Sequence, residues 1–191
     1  MDQRPLPDGI LFGNFLLRLA ATFIDILVVA PLGYLGYYFM VSDPVVAAAV
    51  TLIVVESLYK PVAEKVYGKT VGKHLLKLKV ISQHDFGPIS WNQTFTRYLP
   101  WAVVAFASIF TTIRFMEDPN FGNFADYREY LQYVQTSRLG ESPVLAVINN
   151  LPLFSALFII LDPWRRALHD RWAGTYVVFT PPVPPRGQAA A

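Results

Sequence analysis

The sequence contains no cysteine, which excludes a disulfide framework, thiol chemistry, iron–sulfur clusters and the cysteine-based zinc sites. Charge is scarce as well: Asp, Glu, Lys and Arg make up 16% of the 191 residues, against roughly 25% in a typical soluble chain. The 16 basic and 14 acidic residues leave a formal charge of +2, too little to point to nucleic acid as a partner. Only three histidines occur, His74, His84 and His169, spread along the chain, so no metal site is expected. No G-x-S-x-G, H-E-x-x-H, Walker or G-x-G-x-x-G pattern is present, and the expectation is therefore a protein that is not an enzyme and carries no cofactor. Apolar residues, by contrast, reach 53% and aromatics 15%. So much apolar surface must be buried somewhere, which excludes a disordered chain.

The shortage of charge is local. Four stretches, residues 15–39, 45–63, 98–116 and 144–161, are long and apolar, and their 81 residues hold only five charges: Arg18, Asp25, Glu56, Lys60 and Arg114. A bilayer core about 30 Å thick takes roughly 20 predominantly apolar residues as a helix. A soluble helical bundle should show a polar face on each helix; Val45–Val55 and Leu151–Leu161 have none. The expected fold is an all-α membrane protein with four transmembrane helices and a small cytoplasmic β element. The first span has no basic n-region, is interrupted by Arg18 and Asp25, and is followed by no A-x-A-like cleavage site, so it is expected to be retained rather than removed as a signal peptide.

Loop charges set the expected orientation. Between the second and third spans, counting the end of span two, lie Lys60, Lys65, Lys69, Lys73, Lys77, Lys79 and Arg97, and after the fourth come Arg165, Arg166, Arg171 and Arg186. The connection after span one has no basic residue, and the one after span three is mainly acidic. The positive-inside rule then places both termini in the cytoplasm of a cell (inner) membrane protein. The domain reading is a cytoplasmic N-terminus over 1–14, a membrane domain over 15–180 and a disordered tail over 181–191. Within the aqueous parts, Leu75–Ile81 alternates like a half-buried strand and Gly174–Thr180 is rich in β formers, so the two are candidates to pair. Ser90 and Gln93 fit a capping box that starts a helix near Trp91. A short amphipathic helix is expected around Tyr127–Val134.

Charges inside the bilayer are costly and usually mark a packing core or a path for ions and substrates. Arg18 and Asp25 are seven residues apart, two turns along one face, with Ala21 and Thr22 between them. Asp25 falls near mid-depth of its span. At about 10 Å apart along the helix, the two are expected to find partners on other elements. Glu56 lies at mid-depth of span two, and Lys60 follows at the i,i+4 spacing that favours an ion pair; Pro61 should then bend or break the helix. In span four, Asn149 and Asn150 precede Pro152 and place polar amides in the bilayer, lining either a wet cavity or a packing kink.

Several separated motifs resemble the RDD family of membrane proteins. They are Arg18 opening the first span, Asp25 within it, Gly68-Lys69-Thr70-Val71-Gly72-Lys73 after span two, and Asp162-Pro163, Arg166, Leu168-His169-Asp170-Arg171 and Ala173-Gly174-Thr175 near the end. The resemblance extends from Phe15 to Phe179. It implies that Arg18, Asp25 and Asp170 are the arginine and two aspartates of the family name, with Asp162 competing for the last. It further implies a transporter of a small ligand, in some members a cation/proton antiporter. The expected partners are the lipid bilayer, Na+ or H+, and further copies of the chain. On the transport reading, Arg18, Asp25, Glu56 and Asp170 form the ion site, supported by Lys60, Asn149, Asn150, Asp162, Arg166 and His169. The rival reading is a membrane scaffold or accessory subunit whose charges lock Arg18 to Asp170.

Overall fold

The computed structural model describes residues 11–122 and 124–180; the expected disordered tail and most of the N-terminal segment lie outside them. Three helices are long and apolar enough to cross a membrane: α1 (Phe15–Val41), α2 (Val46–Tyr67) and α4 (Trp91–Met116). The candidate for a fourth crossing is the pair α6 (Pro143–Asn149) and α7 (Leu151–Leu161), which together are long and apolar enough and meet at a bend of 51°. Short elements complete the chain: α3 (Val71–Leu75), β1 (Leu78–Ser82), α5 (Tyr127–Thr136), α8 (Leu168–Ala173) and β2 (Thr175–Phe179). Large apolar side chains face outward from the long helices; Leu27, Phe106 and Ile160 are 74%, 74% and 66% exposed. Such an exterior suits hydrocarbon and not water. The chain is a helical membrane protein with a small two-stranded sheet.

Local chemistry fixes the helix ends. Asn14 caps α1 by accepting from the Leu17 N–H. The capping box of α4 is complete, Ser90 Oγ accepting from Gln93 N–H and Gln93 Oε1 from Ser90 N–H, so four exposed donors at that end are reduced by two. Pro61 does not end α2, which continues to Tyr67. It stops where Gly68 turns left-handed (φ 71°), a conformation that glycine adopts without steric cost. In span four, the bend falls at Asn150 (φ −95°, ψ 0°), two residues before Pro152, whose missing N–H prevents a continuous ladder.

The sheet joins two segments distant in sequence. Strands β1 and β2 run antiparallel with Val80 opposite Val177, and the N-terminal stretch lies along β2, Gly13 N–H donating to Val177 O over 2.9 Å. Alternation along the strands fills both faces: Leu78, Val80 and Val177 pack with Ile89 on one side, and Ile81, Tyr176 and Val178 pack with Phe12, Phe86 and Trp164 on the other. The first strand starts at Leu78, three residues later than the alternation predicts. Thr70 caps α3 instead, which takes up Val71–Leu75 before Lys77 (φ 55°) turns the chain into the strand.

Candidate functional site

Five side chains, each from a different helix, form a continuous chain of ion pairs where the helices meet the sheet. Arg18 of α1 binds Asp170 of α8 at 2.5 Å, Asp170 also binds Arg97 of α4, Arg97 Nε binds Glu64 of α2 at 3.0 Å, and Glu64 binds Lys73 of α3. Asp170 is fully buried, and Arg97 and Glu64 are each 2% exposed. The Arg18 guanidinium also donates to the carbonyls of Gly13 (3.1 Å) and Arg165 (2.7 Å), so it ties the N-terminal stretch and the turn before α8 to one carboxylate. Arg97 adds a 2.6 Å bond to Thr175 Oγ1, the first residue of β2.

This cluster sits at one boundary of the bilayer. Glu64 is 18 residues from the far end of α2 and Arg97 is 19 from that of α4. At 1.5 Å per residue both distances are about 27–29 Å, the thickness of the hydrocarbon core. Arg18 is set back at the same level. Asp25, seven residues from Arg18, lies about 10 Å further in. Glu56, eight residues before Glu64 and about 12 Å further in than it, lies at nearly the same depth as Asp25.

Asp25 is fully engaged. Its Oδ1 accepts from Tyr59 O–H (2.9 Å) and Gly72 N–H (2.8 Å), and its Oδ2 accepts from Thr70 O–H (2.6 Å). The Tyr59 oxygen in turn accepts from Val71 N–H at 3.0 Å. One carboxylate therefore holds the start of α3 against α1. Gly72 allows this approach, because a Cβ there would collide with the Ala21 carbonyl. Arg18 points away to Asp170 and has no bond to Asp25.

The expected Glu56–Lys60 ion pair is not formed. The Lys60 ammonium instead lies over the Trp101 ring of α4, 3.1 Å from its centroid, a cation–π contact that satisfies the charge where its stem reaches toward α4. Glu56 has no hydrogen bond or ion pair among the described residues. Both Glu56 and Lys60 line a cavity of about 300 Å³ between α1, α2 and α4, together with Asp25, Ser57, Tyr98 and Ser108. A second cavity, about 280 Å³, opens between α1, α4 and α7. Thr22, Lys60 and Trp101 line both.

The supporting residues divide in the same way. Asn149 lines the second cavity, while Asn150 Nδ2 donates to the Ala146 carbonyl within the bend. Asp162 pairs with Arg166 at 3.1 Å and accepts from Trp164 N–H, which closes the turn after α7. His169 is buried between Ser155 and Trp101, with Ser155 Oγ 2.7 Å from its Nδ1. Ser155 Oγ also accepts the His169 N–H, and the other ring nitrogen, Nε2, faces Asp170 Oδ1 at 3.4 Å. Burial pushes the His169 pKa well below the ordinary value, against the opposing pull of Asp170. Burial alone would raise Asp170, but the Arg97 and Arg18 guanidinium groups outweigh it and hold the carboxyl well below the usual range.

Glu64 and Tyr59 were not singled out by the sequence, and Arg97, Thr70 and Lys73 were read only as loop charge or motif. A signal for Glu64 existed: Glu56, Lys60 and Glu64 recur at four-residue spacing and so share one face of α2.

Crossing helices of this length, joined at one end by buried ion pairs and a small sheet, define a polytopic membrane protein with a charged cap. The RDD family model matches residues 12–174, and the chain belongs to the RDD family. Neither a curated protein nor a solved structure matches it.

Proposed function

We propose that the chain is a membrane transporter of a small ligand or monovalent cation, working by cation/proton exchange, with the path between α1, α2 and α4. The observation that carries this reading is the unpartnered Glu56 at mid-depth in a cavity of about 300 Å³ that it shares with Lys60. A carboxylate there can hold either a proton or a cation, and the adjacent ammonium opposes the cation and favours its release. Asp25, already bound by three donors, serves to hold α3 in place. In this proposal the sheet end faces the cytoplasm of the cell (inner) membrane, as the lysine-rich segment between α2 and α4 supports, and several copies assemble side by side. Glu56→Gln in proteoliposomes should abolish cation-driven proton flux while the protein still folds; wild-type flux in this variant would remove Glu56 and with it the proposed path.

The scaffold reading keeps one specific support, the ion-pair chain from Arg18 to Lys73. A buried chain of this kind fixes how elements pack and needs no transported ligand to explain it. Under that reading no cation or proton flux is obtained from the wild type in either direction.

A further inference from the structure

The second cavity has a one-sided chemistry. Arg18, Lys60, Lys73, Arg97 and His169 line it, and no aspartate or glutamate does. Along the ion-pair chain, three cations share two carboxylates, Asp170 and Glu64, so one positive charge is left over at this wall. Lys60 adds another; among the described residues it has no ion pair or hydrogen bond, and its ammonium lies over the Trp101 ring. A buried surplus of positive charge is costly unless an anion meets it. The rest of the lining is apolar, including Phe15, Leu19, Leu153 and Ala156. Leu153 is 48% exposed on α7, so the cavity opens on the lipid-facing surface, about 12 Å in from the cap end of that helix. Its volume of about 280 Å³ is near the lower end of small-ligand sites, roughly 300–1,000 Å³; it fits an acidic head and the start of a chain.

We infer that the cavity between α1, α4 and α7 binds an amphipathic anion, its acidic head against Lys60 and the free edge of the ion-pair chain and its apolar chain leaving past Leu153 into the bilayer. The head is a phosphate or a carboxylate, from an anionic phospholipid or a fatty acid. This site adjoins the proposed transport path, sharing Thr22, Lys60 and Trp101 with its cavity, but it does not rest on Glu56 and is read by binding and not by flux.

The test uses the full chain in phosphatidylcholine nanodiscs, with bound phosphatidylglycerol or oleate counted by native mass spectrometry. One saturable equivalent per chain is expected, displaced neither by phosphatidylcholine nor by excess inorganic phosphate, and whichever anion saturates identifies the head. Lys60→Met should weaken binding about ten- to a hundredfold, the scale of one charge-assisted hydrogen bond. Leu153→Trp, which fills the mouth and leaves every charge in place, should do the same and carries the test should Lys60→Met fail to fold. Equal binding of phosphatidylcholine, displacement by inorganic phosphate, or wild-type affinity in folded Leu153→Trp would each overturn the site.

Discussion

Arg18 and Asp170 are 152 residues apart in sequence and meet through a 2.5 Å charge-assisted hydrogen bond that closes the two ends of the domain on each other. Asp170 is the centre of this closure, because its other oxygen takes Arg97 and its Oδ2 also accepts the Ala167 N–H that begins α8. The most conspicuous charges of the sequence thus build a cap on the bundle, and the cavity above it is left to Glu56 and Lys60.

Asp170→Asn should therefore be among the most damaging single substitutions. It leaves Arg18 and Arg97 buried with one carboxylate fewer, and breaking a buried pair by removing one partner costs about 3–5 kcal/mol. Glu117→Gln is the control: the Arg114–Glu117 pair is 58% exposed on both sides and should contribute at most about 1 kcal/mol. Unfolding midpoints in detergent check the contrast, and equal losses for the two variants would refute it.

Gly72→Ala tests the approach of α3 to α1. The added methyl has nowhere to go except into the backbone carbonyl of Ala21, and backbone cannot rotate aside as a side chain can. Loss of the Gly72–Asp25 bond and a lower melting temperature are expected, whereas Gly33→Ala, with open space around its Cβ position, should melt as the wild type or slightly higher. A normal melt for Gly72→Ala would mean that α3 does not pack there.

Tyr59→Phe removes one donor to Asp25 and the acceptor of the Val71 N–H. Two bonds of this kind are each worth about 0.5–1.5 kcal/mol, more where a charge is involved. Amide exchange at Val71 and Gly72 should accelerate about tenfold or more in Tyr59→Phe and in Asp25→Asn, with the amides of β1 and β2 unchanged. Uniform acceleration across the sheet would show global destabilisation in place of a released α3.

Features written in local order were legible from the sequence. The Ser90–Gln93 capping box, the β-rich Thr175–Phe179 run and the apolar spans each depend on neighbours within a few residues, and each forms. Span boundaries were less legible: hydropathy cannot separate the membrane part of α1 from its first turns, because Phe15–Thr22 packs on α3, α7 and β2 and is just as apolar. Glu64 fell one residue beyond the stretch ending at Ala63 and was grouped with the aqueous charges, although it closes the Arg97–Lys73 link. Its partners come from α3 and α4, and no periodicity along α2 encodes them. The Glu56–Lys60 spacing was read correctly as one face, but the ring of Trp101, 41 residues away, won the ammonium.

His169 supplies a pH dependence with a definite sign. Burial holds its folded pKa well below the ordinary 6.5, so below pH 6.5 the unfolded chain takes up a proton that the folded chain refuses. Stability from this group is complete above pH 6.5 and falls as pH drops, by about 1.4 kcal/mol per unit until the folded pKa is reached. Asp170 does not contribute in this window, since its loss begins only below the unfolded carboxylate value of about 3.9. Denaturation midpoints between pH 7 and pH 5 should decline for the wild type and stay flatter for His169→Gln, even though the variant, lacking the ring against Trp101 and Ser155, is less stable at every pH. Parallel slopes for the two proteins would assign the acid sensitivity to another group.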